Sequence, residues 1–128
     1  MNRILRTFAG AVALAIFATG ALSAQERPGR ETARDVTLTA DVVDLSCKVV
    51  HNLSGADHRM CAQVCADNGI PLALFADGQV YLPVSMGMPG TGANEQLKPF
   101  AEQKVTVRGK VIDRGGIKSI VIEEITAA

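Results

Sequence analysis

From Asp35 the apolar residues Val36, Leu38, Ala40 and Val42 alternate with Thr37, Thr39 and Asp41, the period of a strand with one face buried. The pattern predicts a first strand running to about Leu45, with Cys47 just past its end. Val49 to Gly55 is short and broken by Asn52 and Gly55. Asp57 then stands where a helix cap would, and Arg59, Met60, Cys61, Ala62, Gln63, Val64 and Cys65 continue a helix to Asn68. Gly69 suits the left-handed residue that ends a helix, and Pro71 prevents continuation.

Ile70 to Phe75 is apolar and Val80-Tyr81-Leu82-Pro83-Val84 is extended in character. Asp77-Gly78 between them is a strong two-residue turn signal, so the pair predicts a hairpin. Ser85 to Ala93, with three glycines and Pro89, reads as a mobile loop, after which Asn94 is expected to cap a short helix from Glu95 to Phe100. Val105, Val107, Gly109 and Val111 alternate with polar neighbours as strand four. Arg114-Gly115-Gly116 is a turn, and Ile117 to Ile125 is strand five. The order predicts a mainly β fold: a small five-stranded OB-like barrel, with a Cys/His-bearing helix inserted after strand one and a short helix between strands three and four.

Ahead of this pattern the chain changes character. Arg3 and Arg6 precede an apolar run from Phe8 to Leu22, and Leu22-Ser23-Ala24 supplies the small residues of a cleavage site, so residues 1–24 read as a secretory signal peptide. Residues 25–34, polar and containing Pro28 and Gly29, read as a flexible leader, leaving 35–128 as a single domain. The expected location is periplasmic or secreted, with no membrane span in the mature chain. The whole chain balances 13 basic against 13 acidic side chains. Removal of Arg3 and Arg6 leaves the mature part slightly acidic, and there is no Trp and one Tyr. Neither a basic stripe nor an aromatic platform is present, which argues against a nucleic-acid partner.

Export makes the three cysteines informative, because an oxidising compartment pairs thiols and three cannot all pair within one chain. His58, Cys61 and Cys65 are spaced by three and four residues, which on a helix brings their side chains within about 60° of one another. With Cys47 they form a Cys₃His set of candidate metal ligands, Cys47, His58, Cys61 and Cys65. Thiolates favour both Cu(I) and Zn²⁺, and the soft set favours copper slightly over zinc. His51 is a reserve ligand, Met86 and Met88 are thioethers suited to Cu(I) or simply packing residues, and Asp44 or Asp57 is placed to orient His58.

Two other readings stay open. In one, a disulfide from Cys47 to Cys61 or Cys65 staples an OB-like binding domain that engages another exported or membrane protein, as a subunit of a membrane-associated assembly. In the other, the helix dipole and His58 give Cys61 thiolate character for thiol oxidoreductase chemistry. The chain has no C-x-x-C, no Ser-His-Asp order and no phosphate-cradling loop, so it is read as a binding protein and not as an enzyme.

Asp41-Val42-Val43-Asp44-Leu45-Ser46-Cys47, His58-Arg59-Met60-Cys61-Ala62-Gln63-Val64-Cys65, Asn68-Gly69-Ile70-Pro71 and Gly78-Gln79-Val80-Tyr81-Leu82 together resemble a group of small exported bacterial proteins. Their pattern is V-D-x-x-C, H-x-x-C-A-x-x-C and G-x-P. It closes on K-V-x-V-x-G-x-V, matched here by Lys104 to Val111. The resemblance implies a secreted OB-like domain in which Cys47, His58, Cys61 and Cys65 are ligand positions, and it brings no reaction with it.

Overall fold

The first strand, β1, spans Arg34–Asp44 and pairs with two neighbours at once, β2 (Leu72–Ala76) beside its C-terminal end and β4 (Lys104–Arg114) along most of its length. β3 (Gln79–Pro83) follows β2 in a hairpin, and β5 (Ile117–Ala127) follows β4. A short parallel contact between β3 and β5 completes a closed barrel in the order β1-β2-β3-β5-β4. This computed structural model describes residues 33–128. The signal peptide and most of the leader read from the sequence lie outside the described residues. Arg34, read as the leader's last residue, is instead the first residue of β1, opposite Val111.

The alternation in β1 works as read: Ala40 and Val42 enter the barrel core while Thr37 and Asp41 face outward. Leu72, Leu74, Val105, Val107, Val111 and Ile120 fill the same interior from the other strands. Val43 and Ala73, opposite one another on β1 and β2, are also fully buried but lie apart from that core cluster. Both faces of the sheet are therefore covered at this end. Asp77 and Gly78 both take positive φ, +50° and +74°, as the tight hairpin turn between twisted strands requires.

Three helical expectations are corrected. β1 stops at Asp44, and Cys47 lies not beyond a strand but in the first turn of a helix, α1 (Leu45–His51). The Asp44 side chain accepts a hydrogen bond from the Cys47 amide at 2.8 Å, and this cap outweighs the extended preference of Val49 and Val50. Asp57 is not a cap. It sits inside a 3₁₀ turn (Ala56–His58) that leads into α2 (Arg59–Asp67).

Asn94 does not cap α3 (Asn94–Leu97), which is followed by a 3₁₀ turn at Lys98–Phe100. Its side chain instead accepts from the Leu72 amide at 2.9 Å and donates to the carbonyls of Ala66 at 3.0 Å and Ile70 at 2.9 Å. One amide thus ties the end of α2, the turn after it and the start of β2 to the plug formed by Leu97 and Ala101. Ala62 and Ala66 of α2 join the same core. Both helical segments therefore close the end of the barrel where β1 finishes and β2 and β4 begin.

β4 is irregular between Arg108 and Gly109, where its register against β5 shifts. A Cβ at Gly109 would run into the carbonyl oxygen of Val121, so the strands approach closely only because the side chain is absent. Gly109→Ala is expected to destabilise the domain by about 2–3 kcal/mol, read as a lower urea midpoint. An unchanged midpoint would show that the barrel wall can yield at this point.

Candidate metal centre

The junction of β1 and α1 places Asp44 at the centre of the site. As the residue two beyond Val42 it points to the barrel side of β1, and it is fully buried. The capping bond engages Oδ1. Oδ2 is left without a hydrogen-bond partner, as is Nε2 of His58, and these are the buried side-chain polar atoms so left among the described residues. A buried polar atom without a partner costs about 1–3 kcal/mol, so two of them in neighbouring residues call for a physical reason.

Ligand atoms of Asp44, Cys47 and His58 all lie within 4.8 Å of one another. They come from three successive pieces of chain, the end of β1, the first turn of α1 and the 3₁₀ turn before α2. Cys65, two turns into α2, borders the same group. The Asp44 carboxyl beside it, followed by burial, pushes the Cys65 thiol up to about 11. Cys47 is also raised, by burial first and by Asp44 second, with its contact to Cys65 working in the opposite direction. Burial and the adjoining Asp44 carboxyl together raise both thiols, an environment that a cation would reverse.

Of the residues singled out from the sequence, Cys47 and His58 thus belong to the compact group and Cys65 lies against it. Cys61 is exposed, outside the group, yet near enough for its charge to act on both Cys47 and Cys65. His51 ends α1 and is exposed, as is Asp57. Met86 and Met88 are 71% and 97% exposed in the loop after β3, and neither joins the group. All three cysteines are free thiols, so the disulfide staple is not formed.

Two contributors escaped the sequence reading in their actual roles. Asp44, read as a possible partner of His58, stands among the candidate ligands themselves. Glu102, which follows the 3₁₀ turn after α3, is 9% exposed, and its carboxyl accepts from the Asp44 amide at 3.3 Å and the Gly55 amide at 2.6 Å. The sequence signal for Asp44 was its place three residues before Cys47, in the V-D-x-x-C run, which is also the spacing of a cap. Glu102 gave none, because its partners are 58 and 47 residues away.

Comparison with family models, curated proteins and solved structures gives no match to this chain. The resemblance to small exported bacterial proteins therefore rests on the motif residues alone.

Two outcomes follow from this geometry. Asp44→Asn keeps an oxygen to cap α1 and replaces the orphaned oxygen with a donor, so the metal-free domain should be as stable as the parent or more so by up to about 1 kcal/mol. Asp44→Ala also loses the cap and should cost about 1 kcal/mol. Urea unfolding in the presence of a chelator distinguishes them, and equal losses would refute the reading of Oδ2 as unpartnered. Iodoacetamide at mildly alkaline pH should alkylate exposed Cys61 first and Cys47 and Cys65 at least about tenfold more slowly, as followed by peptide mass mapping.

Proposed function

We propose that this chain is an exported metal-binding protein, periplasmic or secreted, in which Asp44, Cys47 and His58, with Cys65 as the fourth donor, bind a zinc ion that can be exchanged. The observation that carries the reading is the pair of buried, unpartnered atoms, Asp44 Oδ2 and His58 Nε2, within a group whose ligand atoms lie inside 4.8 Å. A cation would satisfy both atoms and relieve the upward pressure on the neighbouring thiols.

The donor types favour zinc over copper. One carboxylate oxygen, one imidazole nitrogen and one or two sulfurs form a mixed set that Zn²⁺ accepts in tetrahedral arrangement. Cu(I) prefers thiolates and thioethers, and the thioethers of Met86 and Met88 lie elsewhere. The copper preference drawn from a Cys₃His set weakens once Asp44 takes a place in it. Exchangeability follows from the barrel core, which is built from strand residues closed by Ala62, Ala66, Leu97 and Ala101 and does not include the ligands, so the fold does not wait on the ion. Export rests on Arg3, Arg6 and the apolar run that follows.

A second reading, a binding domain for another exported or membrane protein, draws on Val49, Val50, Leu53, Met60 and Val64, apolar residues between 48% and 77% exposed on and beside α1 and α2. No helix among the described residues is long and apolar enough to cross a membrane.

Elemental analysis with thiol counting, on protein purified without chelator or nickel resin, tests the zinc reading. The expected result is near-stoichiometric zinc on a chain that stays folded when the ion is removed. Cys47→Ser and His58→Ala should each weaken binding by more than about 100-fold, beyond what the loss of a supporting residue costs, while Cys61→Ser should retain the ion. Metal-free protein would overturn the reading in favour of the binding domain, and copper in place of zinc would overturn the choice of ion.

A further inference from the structure

Among the described residues, the non-glycine positions with left-handed backbone are Asn52, Asp77 and Glu102, at φ of +53°, +50° and +57°. Asn52 ends α1 and Asp77 begins the β2–β3 turn, and both belong to the residue types that tolerate this conformation through their short polar side chains. Glutamate has no such aptitude, and at Glu102 glycine would fit the backbone at lower cost. A strained residue that persists is retained for what its side chain does.

The side chain of Glu102 makes two connections. Its backbone is fixed to β1, with the Glu102 amide donating to the Val42 carbonyl at 2.7 Å and the Val42 amide donating to the Gln103 carbonyl at 2.9 Å. From there one carboxyl oxygen accepts from the Asp44 amide and the other from the Gly55 amide. The carbonyl of Gly55 in turn accepts from the His58 amide at 2.9 Å. One buried carboxyl group thus holds Asp44 directly and His58 through Gly55.

We infer that Glu102 is the positioning residue of the metal centre, setting the separation of Asp44 from the segment that carries His58 without itself touching the ion. The inference rests on the zinc reading. It explains why a glutamate occupies a backbone position suited to glycine, and why the loop from Asn52 to Gly55 returns to the barrel end instead of extending into solvent.

The test measures Zn²⁺ affinity by competition with a chromophoric chelator, and the visible absorption of the Co²⁺ form, for the parent chain, Glu102→Gln and Glu102→Gly. Urea unfolding of the metal-free forms runs in parallel. Glu102→Gly removes both acceptors while relieving the backbone, so it should stay folded, bind zinc about 10- to 100-fold more weakly and shift the Co²⁺ bands. Glu102→Gln keeps one acceptor and should fall between it and the parent. If the parent binds zinc and both variants bind it equally well with unaltered Co²⁺ spectra, Glu102 does not position the site. If both variants lose the fold, Glu102 holds the barrel and the assignment is overturned. A parent chain that binds neither ion would instead remove the zinc reading, and this inference with it.

Discussion

The hydrogen bond from the Cys47 amide to Asp44 Oδ1 turns the chain from strand into helix at the mouth of the barrel, and the rest of the candidate site depends on that turn. Without it the residues after Asp44 would extend along the barrel wall and Cys47 would leave the end that α2 covers. With it, the capping carboxyl sits beneath two helical segments, so a single residue serves both as a backbone cap and as a candidate ligand. The two uses are compatible because a carboxyl group has two oxygens, one engaged at 2.8 Å by the backbone and the other free.

This arrangement stores a local cost inside an otherwise well-satisfied fold. The barrel core is apolar and closed, Asn94 uses its oxygen and both donor directions on three backbone groups, and the surface charges of β1 and β4 pair across the sheet, as Lys104 does with Asp41 at 2.9 Å. Against that background the unsatisfied atoms concentrate at Asp44 and His58. Departures from good packing and hydrogen bonding gathered at one locus are how binding sites differ from structural ones.

The strands were legible because period-two alternation is a local signal, and the turns because Asp77-Gly78 and Arg114-Gly115-Gly116 are local as well. The short helix between β3 and β4 was also legible. What Asn94 does there was not, since a cap and a long-range tether look alike until Ala66, Ile70 and Leu72 are brought beside it. The spacing of His58, Cys61 and Cys65 was visible, but not that His58 belongs to the 3₁₀ turn ahead of α2, nor which side of that helix meets the barrel. Ala62 and Ala66 supply the buried stripe, and this rotates Cys65 toward Asp44 and leaves Cys61 in solvent. Glu102 was beyond reach altogether, because its meaning lies in contacts with residues more than forty positions away.

The barrel's closure is uneven. β1 and β4 share a ladder from Arg34 to Asp41, whereas β3 and β5 meet only at Leu82 with Ser119 and Pro83 with Ile120, supplemented by the Val84 amide donating to Ile120 at 2.9 Å. Parting that seam breaks none of the other ladders and converts the barrel into an open five-stranded sheet with β3 and β5 as its edges. The cheapest excursion from the native state therefore begins there, on the side of the sheet away from β1, and it uncovers two strand edges able to pair with another chain. Self-association in this domain would begin as a failure of closure at β3 and β5, with the β1 ladders still intact.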